Sequence, residues 1–149
     1  MKILIGIDDS ACSRAVIQFV SRFSWPPKTT ALVVSAVRPP VMAYTEMYVP
    51  SADTAAELIE QQRKGSQELV SQAEKELRNA GITTRARVLD GDPRETIVQT
   101  AKDEGIDLIL VGSHGRSGFT KLLMGSVASH IVTHAPCSVL VVKGEKREA

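Results

Sequence analysis

The sequence predicts a doubly wound, Rossmann-like α/β fold, in which a five-stranded parallel sheet carries helices on both faces. Short apolar runs alternate with stretches of helical periodicity along the whole chain. Most of these runs are apolar at nearly every position, as strands buried on both faces require. Strands that alternate with helices are joined by right-handed crossovers over a parallel sheet. The 149 residues suit a single domain, predicted over 1–149.

The first strand is predicted over 2–8, where the chain is almost continuously apolar. Ser10 is a good N-cap for the helix that follows, and Trp25 with the two prolines after it ends that helix. A second buried strand is predicted over 31–37. The connector over 38–50 is long for a compact domain, which is typical of a lid or a contact surface.

The second helix is predicted over 53–80, with Leu58 on its buried stripe and Gly65 at a point where it could kink. The segment 83–89 alternates between two faces, which predicts a half-exposed edge strand. The third helix has Asp92 as its cap and Pro93 at its first position. Glu95 is placed to complete a capping box, and Gly105 is predicted to end the helix.

The last third of the chain contains two further strands, one helix and a segment rich in glycine. A buried strand over 107–111 runs directly into Gly112. After the glycine-rich segment, a helix is predicted from about Ser126 to Pro136, and the final strand covers 138–142.

Composition excludes several classes of function. Lys and Arg total 18 against 17 Asp and Glu, so no basic surface is predicted to collect nucleic acid. No apolar run is long enough to span a bilayer, and the first residues lack the pattern of a signal peptide. Cys12 and Cys137 are far apart in apolar surroundings, which indicates buried thiols in a reducing compartment. These features favour a soluble cytoplasmic protein without a membrane or nucleic-acid partner.

Two predicted loops carry unusual chemistry, and both follow the carboxyl end of a strand. Asp8, Asp9 and Ser10 follow the first strand, and the segment from Gly112 to Gly115 follows the fourth. In doubly wound sheets, ligands bind at the carboxyl ends of strands, where the winding reverses. Glycines expose backbone N–H groups, and the first amides of the helix at Ser126 are unpaired, so together they could hold phosphate oxygens. Arg116 and Lys121 could add countercharge.

The spacing of these glycines resembles the ATP-binding signature of the universal stress proteins. Gly112 is followed by two residues and Gly115, then by nine residues and the pair Gly125 and Ser126. The resemblance extends along the chain, from the opening Ile-Leu-Ile-Gly-Ile-Asp to the closing His-Ala-Pro-Cys-Ser-Val-Leu-Val-Val. It implies an adenine nucleotide alpha hydrolase-like fold with strand order 3-2-1-4-5.

The same resemblance implies a ligand, a role and a set of contacts. The ligand would be ATP or another adenine nucleotide with Mg²⁺ or Mn²⁺ on its phosphates. The role would be stress response or signalling by a homodimer, through a protein partner that the sequence does not name. The final strand is apolar and would occupy a sheet edge in this strand order, so we expect the dimer to form through the C-terminal strand. Asp8 matches a residue at the ribose or adenine, Val37 one whose backbone recognises the adenine edge, and Gly112 one near the ribose. The phosphate contacts match Gly115, Gly125 and Ser126, with Arg116 as a candidate countercharge.

Other functions stay open at this point. An ATPase or nucleotidyl transferase could use the same fold, but no paired base and nucleophile is visible, so no catalytic residue is predicted. A ligand-free dimeric scaffold is the third hypothesis, and the glycine pattern disfavours it. His130 and His134 are four residues apart on a helix but lack a third ligand, so no metal site within the protein is predicted. His114 is a weak candidate for a phosphate contact.

Overall fold

A computed structural model describes residues 1–38, 51–115 and 123–144 of the protein. The predictions for the connector beyond residue 38, for Arg116 and for Lys121 lie outside the described residues. Strands and helices alternate in the order β1 (Lys2–Gly6), α1 (Ala11–Arg22), β2 (Thr30–Val37), α2 (Ala52–Asn79), β3 (Thr83–Asp90), α3 (Pro93–Glu104), β4 (Leu108–Gly112), α4 (Ser126–His134) and β5 (Ser138–Val142).

The five strands form one parallel sheet in the order β3-β2-β1-β4-β5. This confirms both the predicted fold class and the predicted strand order. β1 lies at the centre, and its residues Ile3, Leu4 and Ile5 are 0% exposed, because helices cover both faces of the sheet. β3 and β5 are the two edges, as the alternating sequence of β3 predicts.

Two apolar cores lie on opposite faces of the sheet. On one face, α1 and α2 contribute Val16, Val20, Val70 and Leu77. On the other face, α3 and α4 pack against the sheet through the cluster of Leu4, Leu32, Val34, Ile97, Ala101, Ile109, Val111, Ala128 and Ile131. This division follows from the period of two in the strands, which sends neighbouring side chains to opposite faces.

Helix ends follow the predicted signals at several positions. The Ser10 side chain accepts a hydrogen bond from the Ser13 amide, and Asp92 caps α3 with Pro93 in the first turn. Gly105 ends α3 in the left-handed region at φ 61°, which favours glycine. Glu95 does not complete a capping box: its carboxylate lies 3.4 Å from His130 Nε2 on α4. The prediction failed there because a neighbouring helix offers Glu95 a different partner.

The second helix differs most from its prediction. α2 runs through Gly65 without interruption, and Leu58 is 52% exposed rather than buried. The Arg63 guanidinium donates to the carboxylate of Asp90, the last residue of β3. The part of α2 before Arg63 therefore extends past the carboxyl edge of the sheet, where the described residues form no core for Leu58 to join.

Two smaller corrections concern β1 and the thiols. β1 ends at Gly6, two residues earlier than predicted, because the Asp8 amide donates to Ser13 Oγ rather than to a neighbouring strand. Cys12 and Cys137 are free thiols but are only partly buried. Desolvation raises the pKa of the Cys137 thiol, which disfavours its reactive thiolate.

Within the described residues, no helix combines the length and the apolar character needed to cross a membrane.

Candidate functional site

The carboxyl ends of β1 and β4 lie side by side, as the predicted crevice requires. Gly6 at the end of β1 is in register with Val111 of β4. The loops that follow these strands therefore leave the same edge of the sheet next to each other. β2 pairs with β1 on its other side, so the carboxyl end of β2 borders the same region. This is the place where doubly wound sheets bind ligands.

Asp8 is held in the first loop by three hydrogen bonds. Its Oδ1 accepts from the Ser10 amide at 2.9 Å and from the Ser13 hydroxyl at 2.7 Å. Its own backbone amide donates to Ser13 Oγ at 2.8 Å. One carboxylate oxygen is thus engaged within the loop and the first turn of α1. The other oxygen, Oδ2, lies on the side of the loop that follows β4.

Gly115 lies against this second carboxylate oxygen. A Cβ atom at position 115 would be 2.9 Å from Asp8 Oδ2, closer than real Cβ atoms approach other atoms. Glycine therefore allows the backbone of the β4–α4 loop to approach the carboxylate. Gly115 is exposed and Asp8 is half-buried, so the junction between the two loops is open to solvent.

The start of α4 closes the other side of the loop. Gly125 is the N-cap and Ser126 the first helical residue, and no side chain caps this end within the described residues. The Gly125 amide donates to the Ser113 carbonyl at 2.7 Å, and a Cβ at position 125 would lie 3.7 Å from the Gly115 amide nitrogen. The next amides of α4 lack intrahelical partners and carry partial positive charge, which favours an anion.

His114 ties the two described ends of the loop together. Its Nε2 donates to the Leu123 carbonyl, because a carbonyl oxygen can only accept. In the neutral ring, Nδ1 then accepts from the Ser113 hydroxyl at 3.0 Å. Both ring nitrogens are engaged within the loop in this structure. These bonds hold His114 within the loop, and the phosphate contact predicted for it stays a prediction.

The close neighbour of Gly112 is Cys12 of α1. A Cβ at position 112 would lie 2.6 Å from Cys12 Cβ and 3.1 Å from the Cys12 carbonyl carbon. Its missing side chain therefore lets α1 approach the end of β4. The prediction that Gly112 lies near a ribose stays a prediction, and the packing against Cys12 is sufficient to require glycine.

The backbone polar groups of Val37 and of its neighbour Ala36 point to opposite sides of β2. The Val37 carbonyl accepts from the Gly91 amide at 3.0 Å, which directs it towards β3. The Val34 carbonyl accepts from the Ile7 amide at 2.9 Å, which directs it towards β1. Since backbone polar groups alternate along a strand, those of Ala36 point to the β1 side. The β1 ladder ends opposite Val34, so the half-buried Ala36 lies beyond it at the crevice.

A charged cluster lies where β2 and β3 end. Arg94 donates to both carboxylate oxygens of Asp92, at 3.0 and 2.8 Å, and Arg38 is 3.3 Å from the same group. The hydrogen bonds from the Arg94 side chain hold the pKa of Asp92 well below its ordinary value, with smaller contributions from the Arg94 amide and the Arg38 charge. The two guanidinium groups thus balance the negative charge of Asp92 at the start of α3, the helix that Asp92 caps.

A cavity of about 190 Å³ lies between α1 and α2 and is bordered by Asp8. Ile7, Ile17, Leu69 and Ala73 line it together with polar residues of both helices. This volume is below the usual range of about 300–1,000 Å³ for small-molecule sites. Asp8 borders both this cavity and the junction with Gly115, and Gly115 is not one of the described residues that line the cavity.

The structure thus brings four of the predicted site residues together: Asp8, Gly115, Gly125 and Ser126. Gly112 and Val37 lie at the same edge of the sheet but use their nearest contacts for packing and for β-sheet pairing. Sequence reasoning missed Ser13 and Ala36. The spacing of Ser10 and Ser13 after Asp8 was a visible signal for Ser13, whereas the orientation of Ala36 depends on strand register.

The arrangement combines an acceptor with several donors. The Asp8 carboxylate can accept hydrogen bonds from hydroxyl or amino groups, while the start of α4 offers N–H groups to an anion. A molecule that carries both kinds of group could bridge the two loops.

Comparison with known proteins gives this arrangement a context. The family model described as the universal stress protein family matches residues 1–143. The chain belongs to the universal stress protein family. The resemblance predicted from the glycine spacing is therefore confirmed.

One relative is the universal stress protein MJ0577 of Methanocaldococcus jannaschii, 41% identical over 69 residues. The aligned stretch covers 46% of this chain and 43% of that relative, so it spans less than half the length of either. The solved structure of MJ0577 superposes with a TM-score of 0.82 at 26% identity, covering 97% of this chain and 96% of that one.

Two more distant structures share the fold and carry nucleotides. A universal stress protein family protein from Arabidopsis thaliana, with AMP bound, has a TM-score of 0.70 at 18% identity, covering 99% of this chain and 94% of that one. The universal stress protein from Archaeoglobus fulgidus, in complex with dAMP, has a TM-score of 0.65 at 20% identity, covering 96% and 98%. At these identities the likeness establishes the fold alone.

Proposed function

We propose that this universal stress protein binds an adenine nucleotide, with ATP as the first candidate, in the crevice between the β1–α1 and β4–α4 loops. The observation that carries the proposal is the approach of Asp8 Oδ2 to the backbone of Gly115, next to the uncapped start of α4. A nucleotide has hydroxyl and amino groups at one end and phosphates at the other. The two sides of the crevice offer complementary groups for each end.

Each contact is assigned by the chemistry of the described residues. Gly115, Gly125 and Ser126 would hold phosphate oxygens through backbone amides, as helix N-termini and glycine loops do. Asp8 would accept hydrogen bonds from the sugar or the base. The polar backbone of Ala36 faces the crevice, so we assign recognition of the adenine edge to Ala36 in preference to Val37. Arg116 stays a candidate for countercharge.

The metal would bind through the nucleotide. Within the described residues, no group of three or more His, Cys, Asp or Glu side chains could hold a metal ion. Phosphate oxygens are the usual ligands by which nucleotides bring Mg²⁺ to a site that contributes few protein ligands. Mg²⁺ or Mn²⁺ would therefore neutralise phosphate charge beside the amides of α4.

The cellular role that we propose depends on nucleotide binding. The protein would act in stress response or signalling as a cytoplasmic homodimer paired through β5. A partner protein would distinguish the dimer with bound nucleotide from the dimer without it. β5 is an edge strand of mostly half-buried apolar residues, and such edges tend to pair with another strand. In the first loop, the Ser13 hydroxyl donates to Asp8 and the Ser10 hydroxyl donates to Ser13, and we assign these groups to ligand binding.

The direct test is to identify the bound molecule and measure its affinity. Mass spectrometry of the purified protein should detect an adenine nucleotide, and calorimetry should show binding of ATP or AMP with little binding of GTP. Protein that carries no nucleotide and releases no heat with either ligand would contradict the proposal. Steady hydrolysis of ATP above about one turnover per second would instead indicate an enzyme.

Replacement of one glycine locates the binding. In Gly115→Ala the new Cβ must displace Asp8 Oδ2, so nucleotide affinity should fall about tenfold or more. Gly65→Ala is the matched control, because its Cβ meets nothing within 4 Å and it lies in α2 away from the crevice. Equal affinity of Gly115→Ala and the wild type would contradict this placement.

A further inference from the structure

Ser13 is a buried polar residue in the first turn of α1, with 6% of its surface exposed. Its hydroxyl donates to Asp8 Oδ1 at 2.7 Å and accepts from the Asp8 amide at 2.8 Å. The Ser10 hydroxyl also donates to it, at 3.3 Å. The Ser13 hydroxyl therefore contacts both the side chain and the backbone of Asp8.

These bonds restrict the orientation of the Asp8 carboxylate. Oδ1 accepts from two donors, the Ser13 hydroxyl and the Ser10 amide, so rotation of the carboxylate would break both bonds. Oδ2 is thereby kept on the side of Gly115. Without the Ser13 hydroxyl, the Ser10 amide alone would hold Oδ1, and the Asp8 amide would also lose its acceptor.

We propose that Ser13 is a positioning residue of the nucleotide site, which presents Asp8 Oδ2 to the ligand by holding Oδ1. This inference rests on the proposed function, since it assigns a purpose to the same crevice. Because Ser13 is only 6% exposed, it would act through Asp8 rather than by touching the nucleotide itself. Helix α1 thus contributes to the site through its first turn rather than through an exposed side chain.

The test compares Ser13→Ala with Ser21→Ala by calorimetry with AMP. Ser21 also lies on α1, where its hydroxyl donates to the Ile17 carbonyl at 2.8 Å, so both variants lose one helical hydroxyl. Ser13→Ala should bind AMP about tenfold more weakly, since a hydrogen bond to a charged group is lost. Ser21→Ala should bind like the wild type. Unchanged affinity in Ser13→Ala would overturn the inference.

A double-mutant cycle separates positioning from general loosening of the fold. If Ser13 acts through Asp8, then Ser13→Ala should have no further effect on affinity in an Asp8→Ala background. A full additional loss in that background would overturn the inference. If Ser13→Ala does not fold, Ser13→Cys replaces it, because a thiol has similar volume and is a weak donor.

A structural measurement keeps this inference separable from the proposed function. Crystal structures of wild type and Ser13→Ala without ligand should show the Asp8 carboxylate turned away from Gly115 in the variant only. If wild type binds no nucleotide but the carboxylate turns, the proposed function fails and the positioning by Ser13 stands. An unmoved carboxylate overturns the positioning whatever the protein binds.

Discussion

Single glycines in this protein meet different physical requirements, although they lie close together in the sequence. Gly112 lacks a side chain because α1 packs against it, with Cys12 in the way of any Cβ. Gly115 lacks one because a carboxylate approaches the loop, and Gly125 because the loop and the start of α4 are in contact. The glycine spacing therefore reflects two requirements, helix packing at Gly112 and close approach of the loop backbone at the crevice. Only the second requirement concerns a ligand directly.

Replacement of Gly112 should reduce stability. In Gly112→Ala the Cβ would lie 2.6 Å from Cys12 Cβ and 3.1 Å from backbone carbon, which cannot move away as a flexible side chain can. We expect the free energy of unfolding to fall by about 1–3 kcal/mol, the range for overpacking. Gly65→Ala, in the open part of α2, should raise it by about 0.5–1 kcal/mol. Urea denaturation measures both, and a Gly112→Ala variant as stable as wild type would contradict the packing described here.

At the scale of elements, the start of α3 depends on charge as well as on capping. Asp92 accepts from the Arg94 amide at 2.9 Å and also binds the Arg94 and Arg38 guanidinium groups. Hydrogen bonding by Arg94 lowers the pKa of Asp92 from its ordinary value of 3.8. A carboxyl whose pKa is lower in the folded state stabilises that state above its unfolded pKa. This contribution is lost as the pH falls below 3.8 towards the folded pKa.

The charge of Asp92 can be removed while its capping ability is kept. Asp92→Asn should be less stable than wild type at neutral pH, because asparagine caps a helix but does not pair with arginine. The difference in unfolding free energy should shrink as the pH falls below 3.8. Urea denaturation over this pH range measures it. In an Arg94→Gln background, Asp92→Asn should lower the free energy of unfolding by less at neutral pH. A difference in unfolding free energy between Asp92→Asn and wild type that does not change with pH would refute the role of the charge.

At the scale of the whole molecule, the sheet has two unlike edges. β3 presents two arginines, Arg85 and Arg87, and both pair with Glu104 of α3. β5 presents short, mostly apolar side chains and no charge. The Ser113 amide donates to the Val142 carbonyl, so the backbone of Val142 faces β4 and that of Val141 faces outward. The outer edge of β5 is thus suited to pair with a second copy.

Proline at position 141 tests the proposed dimer. Val141→Pro removes an outward N–H group and leaves the bonds between β5 and β4, a place where edge strands tolerate proline. Wild type should sediment as a dimer and Val141→Pro as a folded monomer. Leu140→Pro should instead lose stability, because the backbone of Leu140 faces β4. A monomeric wild type at micromolar concentration would contradict pairing through β5.

Much of this architecture could be predicted from local sequence. The caps at Ser10 and Asp92 and the end at Gly105 follow from backbone chemistry that acts within a few residues. The exposure of Leu58 could not be predicted, because it depends on where α2 passes the edge of the sheet. The orientation of Ala36 likewise depends on register between strands that are distant in the sequence. Local signals gave the elements and most of the crevice, whereas pairing between elements decided which backbone groups face it.

The central claim is that an adenine nucleotide binds between the β1–α1 loop and the start of α4. The most direct measurement is a titration of ¹⁵N-labelled protein with AMP, followed by the backbone amide signals in NMR spectra. The largest shifts are expected at Asp8, Gly115, Gly125 and Ser126. Shifts confined to Leu69, Gln72 and Ala73 at the α1–α2 cavity, or no shifts at all, would contradict it.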